Sequence, residues 1–301
     1  LLFMERKISC VSLNVSEGFF RSTRGYELHY TVLSPLNGNS SSCIVFHHGL
    51  SDHSGRHIAF LSQLALKTSL TVLTYDCHGH GCSPPFDAHK RAYVQSPHHL
   101  VEDYENFVKH VVKSCHGFEH IFAFGYSMGG MTVILAALKN QSLYKGVLLT
   151  SALTDCVFDQ NPVSIAIKVL LLRFINYFIP TYGLIPRRSV ECGIRDPAAV
   201  EAMKVDTLWY RGKLRVGTAL SLIDGCKIIQ SNVQNLKLPI FAQHATNDVA
   251  CDIRAFHCFC ANVGSKDICF HIINEGFHDL HHDPETSSCL KNLVTWLHNH
   301  S

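Results

Sequence analysis

The stretch His120-Ile-Phe-Ala-Phe-Gly125-Tyr-Ser127-Met-Gly129-Gly-Met-Thr-Val-Ile-Leu-Ala-Ala-Leu138 decides the fold. Its opening residues read as an apolar strand, its closing residues as a helix of small side chains, and G-x-S-x-G sits at the junction. A serine on so sharp a turn is crowded by whatever stands two residues to either side. Glycines at 125 and 129 relieve that crowding and leave Oγ exposed at the helix N-terminus. Backbone N–H groups there point toward developing negative charge. A bare G-x-S-x-G arises often by chance; the strand before it and the helix after it make this copy informative. The expected nucleophile is Ser127.

Outward from this junction, short β-branched apolar runs alternate with helix-patterned segments, the signature of a mostly parallel sheet. Candidate strands cover residues 28–33, 43–47, 70–75, 120–126, 146–151, 240–244 and 269–273. Candidate helices cover 57–67, 97–114, 128–139, 252–263 and 284–298, the last with Pro284 as its first residue, where a missing N–H costs nothing. No clean strand is expected between about 152 and 236. The expected architecture is an α/β-hydrolase fold: one domain over 1–301, a mostly parallel central sheet flanked by helices, and a helical cap inserted at 152–236.

Within that insertion, residues 162–179 are strongly apolar, with Ser164, Lys168, Arg173 and Asn176 on roughly half of a helical wheel. The segment is short for a membrane span and carries two cations. Two readings stand: a helix buried against the domain, or an amphipathic lid resting on a lipid surface.

Composition narrows the classes. Over 301 residues, 47% hydrophobic and 17% charged residues supply ample core material and exclude charge-rich disorder. A net charge of +2, with no run of Lys or Arg, leaves no electrostatic footprint for nucleic acid. Leu1-Leu2-Phe3 before Met4 and Glu5-Arg6-Lys7 are too few apolar residues for a signal peptide. Thirteen cysteines, an odd number with irregular spacing, form no disulfide framework. Free thiols and a cytoplasmic location, peripheral on membranes at most, are expected. Most of the 21 histidines are expected to be surface or incidental.

A serine hydroxyl needs a base to take its proton, and the base needs an orienting acid. In this fold the order is Ser, acid, His, with the partners in loops after late strands. Asp248 follows the strand at 240–244 after Ala245-Thr246-Asn247, and His278 follows the strand at 269–273 after Glu275-Gly276-Phe277. Their competitors are Asp252, one turn into the next helix, Asp279, beside the candidate base, and His271, His281 and His282. The oxyanion donors are expected to be the backbone amides of Leu50 and Met128, with Gly49 permitting close approach. The run Asp76-Cys77-His78-Gly79-His80-Gly81-Cys82, completed by His281-His282-Asp283, is the best metal candidate. Its glycines and the want of a second paired module favour a simple turn, so neither metal nor cofactor is expected.

These residues resemble the monoacylglycerol lipase family of α/β-hydrolases, of the serine aminopeptidase S33-like kind. The likeness is carried by His48-Gly-Leu-Ser-Asp-His53-Ser-Gly-Arg56, Asp76-Cys-His-Gly-His80-Gly-Cys-Ser83, Gly125-Tyr-Ser127-Met-Gly-Gly130, Asp196-Pro197, Asn247-Asp248-Val-Ala-Cys251-Asp252 and Glu275-Gly-Phe-His278-Asp-Leu-His281. The blocks keep their order from about residue 25 to the C-terminus, and the second accounts for the would-be metal cluster. The resemblance implies Ser127, Asp248 and His278 as triad, and Leu50 and Met128 as oxyanion donors. It also implies His53, Arg56 and Cys251 near substrate, and a cap over an apolar acyl tunnel with a narrower polar end. Cys251 matches a cysteine near that pocket in mammalian members. Leu50 and Ser51 stand where the family usually carries small residues, and Leu50 is placed to narrow the acyl entrance. The implied reaction is hydrolysis of a monoacylglycerol to fatty acid and glycerol, with a lipid ester as partner and 162–179 meeting the membrane. Lysophospholipase, general carboxylesterase, acyltransferase and an inactive lipid-binding relative are the alternatives.

Overall fold

The structure, a computed structural model, describes residues 12–38, 40–156 and 161–301; the expectation about the first seven residues lies outside them. In chain order the strands are β1 (Leu13–Arg21), β2 (Glu27–Pro35), β3 (Ser42–His47), β4 (Thr71–Tyr75), β5 (His120–Tyr126), β6 (Gly146–Thr150), β7 (Gly183–Ile185), β8 (Leu214–Arg215), β9 (Ile240–Ala245) and β10 (Ile268–Ile273). The helices are α1 (Ser54–Thr68), α2 (Pro97–Phe107), α3 (Met128–Lys139), α4 (Pro162–Phe178), α5 (Pro197–Val205), α6 (Val216–Asn232), α7 (Ile253–Asn262) and α8 (Thr286–His300).

The central sheet runs β1-β2-β4-β3-β5-β6-β9-β10, antiparallel at β1–β2 and β2–β4 and parallel from β4 onward. Its middle strands are buried on both faces, and their side chains divide by the two-residue period of a strand. Ile44, Phe46, Phe122 and Phe124 join Phe60, Leu61 and Leu64 of α1 and Leu293, Trp296 and Leu297 of α8. Cys43, Val45, Ile121 and Ala123 point the other way, into a larger core with α2, α3, α6 and α7. Each buried Phe or Leu stabilises this sandwich by about 1.5–3 kcal/mol, which holds the carboxyl ends of β3, β5, β9 and β10 in one rigid row.

All the expected strands are present within a residue or two. β1 was not expected: Leu13–Arg21 is half polar and interrupted by Gly18. It pairs along its whole length with β2, and a Cβ at position 18 would stand 2.7 Å from the Tyr30 hydroxyl, so the glycine makes room for that ring. Between β6 and β9, where no strand was expected, the short β7 and β8 pair antiparallel. Ser96 caps α2 by accepting the His98 N–H, and a wider π-helical stretch, Val108–Cys115, carries it to the expected end. Pro284 is not the first residue of the last helix. α8 starts at Thr286, because Asp283 and Glu285 are drawn to the 195–196 backbone and the Arg195 side chain.

α4 overturns the buried-helix reading. It is a helix, capped by Asn161 through the Val163 and Ser164 amides, but its large side chains stand in solvent: Leu170 is 70% exposed, Phe174 65% and Tyr177 83%. The polar residues are not confined to the outer face either, although Lys168 is exposed. Arg173 reaches Asp224 of α6 at 2.6 Å, and half-buried Asn176 sits against the Gly217 position. Among the described residues no helix is long and apolar enough to cross a membrane.

Candidate active site

Ser127 closes β5 and opens α3 in a backbone conformation, φ 54° and ψ −119°, that L-residues rarely adopt. The flanking glycines are what allow it. A Cβ at Gly125 would lie 2.3 Å from the Gly129 carbonyl oxygen, and one at Gly129 would lie 2.0 Å from that of His47. Met128 is the first residue of α3, so its N–H is among those a helix leaves unpaired. Ser51 (φ 66°), Ser151 (φ 47°) and Glu275 (φ 60°) share the left-handed strain, which costs roughly 1–3 kcal/mol each and gathers at functional sites.

The other parts converge from the strand ends. Asp248 lies just beyond β9 and His278 just beyond β10. His278 Nε2 is 3.1 Å from Ser127 Oγ, and His278 Nδ1 is 2.7 Å from Asp248 Oδ2. The other Asp248 oxygen accepts the N–H groups of Ala250 and Cys251, both at 2.8 Å. Burial opposes ionisation of Asp248, but His278 and His244 hold its carboxyl well below the usual carboxylate range. Burial would depress His278 as well; Asp248 chiefly, then Asp279 and Asp52, reverse this and raise its pKa above the ordinary 6.5. The competing residues are engaged elsewhere. Asp252 caps α7 and pairs with Arg254, His271 lies in β10, and Asp279 and His282 pair with each other.

The loop after β3 passes so close to Ser127 that a Cβ at Gly49 would stand 3.3 Å from the Ser127 Cβ. His48 braces it: Nδ1 donates to the Gly49 carbonyl at 2.7 Å, and Nε2 accepts the Cys77 N–H at 3.0 Å. Leu50, Ser127 and Met128 line a cavity of about 380 Å³ whose walls include Leu153, Ile194 and Leu222. One part is polar. Arg56 bridges Asp52 at 2.9 Å and Asp279 at 2.7 Å, and all three line the cavity. Burial opposes both charges, yet Arg56 and neighbouring histidines hold the two carboxyls well below their usual range.

Of the residues expected near substrate, the structure brings Arg56 and Cys251 to the cavity wall, with Cys251 Sγ 3.9 Å from Ser127 Oγ. His53 turns away and meets Asp206 at 2.8 Å. Asp52, His57 and His244 were not foreseen, and Asp279 was weighed only as a rival acid, although Asp52 and Asp279 adjoin expected site residues. The candidate metal run is divided: Cys77 meets His80, while His281 packs on His57 and His282 on Asp279. His29, Asp76 and Cys82 do bring ligand-type atoms within 4.8 Å of one another, but the Asp76 carboxylate already accepts from Ser54 and from the Cys82 N–H. Asp248, Cys251 and His278 are equally close and are the residues around Ser127.

In sequence and fold the chain resembles known hydrolases. Residues 38–285 match the family described as serine aminopeptidase, S33. A monoacylglycerol lipase of Mycolicibacterium smegmatis is 25% identical over 290 residues, 96% of this chain and 99% of that protein. The monoglyceride lipase of Homo sapiens is 27% identical over 263 residues, 86% of this chain and 83% of that one. A soluble variant of monoglyceride lipase from Saccharomyces cerevisiae, solved with a substrate analog, superimposes with a TM-score of 0.80 over 98% of both chains at 15% identity, a likeness of fold. The chain belongs to the serine aminopeptidase S33 family of α/β-hydrolases and is a serine hydrolase.

Proposed function

We propose that this chain hydrolyses monoacylglycerols and related lipophilic carboxylic esters through an acyl-enzyme. The observation that carries the reading is the Ser127–His278–Asp248 hydrogen-bonded chain opening onto a mainly apolar cavity whose polar wall includes Arg56 between Asp52 and Asp279. Ser127 Oγ attacks the ester carbonyl while His278 Nε2 takes its proton. Asp248 keeps the Nδ1 proton in place and balances the imidazolium. The Leu50 and Met128 amides receive the oxyanion. His278 then protonates the departing alcohol oxygen, and in a second round it deprotonates the water that releases the fatty acid. The acyl chain lies along Leu50, Leu153, Ile194 and Leu222, and the alcohol's hydroxyls face Arg56 and its two carboxylates. The names of the relatives support the same substrate class.

Residues 152–236 act in this reading as the cap, and the exposed apolar face of α4 as its contact with lipid. Side chains of this size sit outward only at a free-energy cost that burial in an acyl boundary would offset. Replacing Leu170 and Leu171 with Glu should reduce co-sedimentation with vesicles, and unchanged binding would refute the contact.

The deciding experiment compares a monoacylglycerol panel with lysophospholipids and short esters, alongside fluorophosphonate labelling. Monoacylglycerols should be hydrolysed fastest, and labelling should vanish in Ser127→Ala. Labelling retained in that variant would overturn the nucleophile, and preference for a charged head group would overturn the substrate.

A further inference from the structure

Cys156 and Cys226 lie together in a way the hydrolytic reading does not use. Cys156 lies just past β6, where the chain leaves the sheet, and Cys226 sits midway along α6. They are 70 positions apart in sequence, yet their Sγ atoms are 3.5 Å apart and share a hydrogen bond. Cys226 is buried and Cys156 half-buried. Both pack in the apolar core that also holds α3. A disulfide needs its sulfurs at about 2.05 Å, so a small closing movement would join them. The same two segments form walls of the cavity beside Ser127: Leu153 precedes Cys156 on one, and Leu222, a helical turn before Cys226, lines it from the other.

We propose that Cys156 and Cys226 are a redox modification site: a peroxide joins them in a reversible disulfide that fixes the Leu153 and Leu222 walls of the cavity relative to each other. Half-exposed Cys156 is the sulfur a peroxide reaches first. Its thiol gives up a proton, the thiolate attacks hydrogen peroxide, the O–O bond breaks, and Cys156 sulfenic acid and hydroxide result, the hydroxide taking up the thiol's proton to become water. The Cys226 thiol then attacks that sulfur, forming S–S and releasing the sulfenic oxygen as a second water. The two thiols lose two electrons and two protons, and the peroxide is reduced to two waters. Glutathione reverses the bond by thiol–disulfide exchange, itself leaving as glutathione disulfide. Formation of the bond is independent of the catalytic assignment; its effect on substrate rests on the hydrolytic reading of the cavity.

The test uses the full chain. Protein is treated with hydrogen peroxide, unfolded, alkylated with N-ethylmaleimide and digested with trypsin without reductant. Cleavage after Lys or Arg gives peptides 146–168 and 216–227, which carry Cys156 and Cys226 as their sole cysteines, so a linked pair identifies the bond without ambiguity. The expected result is that linked pair, absent in Cys226→Ser and returned to two free peptides by dithiothreitol. Full alkylation of both peptides after peroxide would overturn the proposal, as would Cys156 linked to Cys251. In parallel, the ratio of long-chain to short-chain ester hydrolysis should change on oxidation by about tenfold, the scale on which an apolar pocket discriminates one methylene, and not change in Cys226→Ser. An unchanged ratio in the linked wild type would overturn the cavity effect. A linked protein inactive on every ester in both redox states would instead refute the hydrolytic reading and leave the bond standing.

Discussion

Replacing Asp248 with Asn removes one charge at nearly constant shape and so isolates what that charge does. Both carboxylate oxygens are in use. One accepts the Ala250 and Cys251 N–H groups, and Oδ2 faces His278 Nδ1 at 2.7 Å and His244 Nε2 at 3.2 Å. An Asn has a single acceptor oxygen, so one of these pairs must meet its NH2 group. Keeping the loop amides satisfied turns that NH2 onto His278, whose proton then moves to Nε2, the atom that has to be empty to act as base. The lost attraction can also be sized. With imidazolium and carboxylate charge centres about 4 Å apart and an effective dielectric near 20, it is roughly 4 kcal/mol. This attraction arises only as His278 takes the serine proton, so nearly all of it counts against the transition state. At about 1.4 kcal/mol per decade, the charge accounts for some three decades of rate and the wrong tautomer for about one more. We expect kcat/KM to fall by about 10³–10⁴ on a soluble short-chain ester, with fluorophosphonate labelling of Ser127 slowed in parallel and the protein still folded by circular dichroism. A loss under about tenfold in a folded variant, with labelling at the wild-type rate, would refute the assignment of Asp248.

Four further outcomes follow from the same geometry. The raised pKa of His278 places the acid limb of kcat/KM above pH 6.5, because only the neutral imidazole accepts the serine proton; a pH–rate midpoint at or below 6.5 would contradict this. The same shift stabilises the fold below pH 6.5, and that contribution is lost as pH rises through the higher folded value. Arg56→Met leaves Asp52 and Asp279 buried without their shared cation, which should cost about 3–5 kcal/mol in urea unfolding; a cost under about 1 kcal/mol would mean the bridge is not what holds them. Gly129→Ala puts a methyl 2.0 Å from the His47 carbonyl oxygen, and because that oxygen leads into the Gly49–Leu50 loop, kcat should fall by about 10² or more. Wild-type turnover in this variant would show that the loop does not form the oxyanion site.

The sheet and the strand-to-helix turn at Ser127 were legible because each rests on local pattern. β3, β5 and β6 each hold an unbroken apolar run and β9 opens on one, and Gly125 and Gly129 answer to a steric demand that is nearly the same wherever a strand turns into a helix at a serine. β1 escaped because its evidence lies in its partner: its polar residues acquire meaning only when registered against β2, and Gly18 only against the Tyr30 ring. Pro284 misled for a related reason. The start of α8 is decided by the ties of Asp283 and Glu285 to residues 195 and 196, nearly ninety positions away in sequence. α4 was legible as a helix but not in its placement. Periodicity reports which residues share a face, whereas the structure sets the apolar face outward, a choice that depends on what the helix meets.

The histidines carry the largest difference between composition and structure. Their number suggested incidental surface residues, yet His47, His48, His53, His57, His80, His244 and His281 are all buried. Most of them tie loops at the carboxyl end of the sheet. A neutral imidazole is a rigid plate with a donor on one edge and an acceptor on the other, so one ring can close hydrogen bonds to two chain segments with no net charge to desolvate. His48 does this between the Gly49 carbonyl and the Cys77 amide. His57, its pKa lowered to about 4 chiefly by burial against the opposing pull of Asp52, spans Asp52 and His281. His244, whose Nε2 lies between the Cys251 carbonyl and Asp248, holds the segment that carries Asp248. A lysine or arginine in these places would bring a charge needing a buried partner, and an asparagine is too short to reach across two loops. His278 differs from the others in one respect that matters for chemistry. It is the ring whose Nε2 meets the Ser127 hydroxyl at 3.1 Å beside an open cavity rather than a fixed backbone group, so in the proposed hydrolysis it is the one placed to exchange a proton with something that comes and goes.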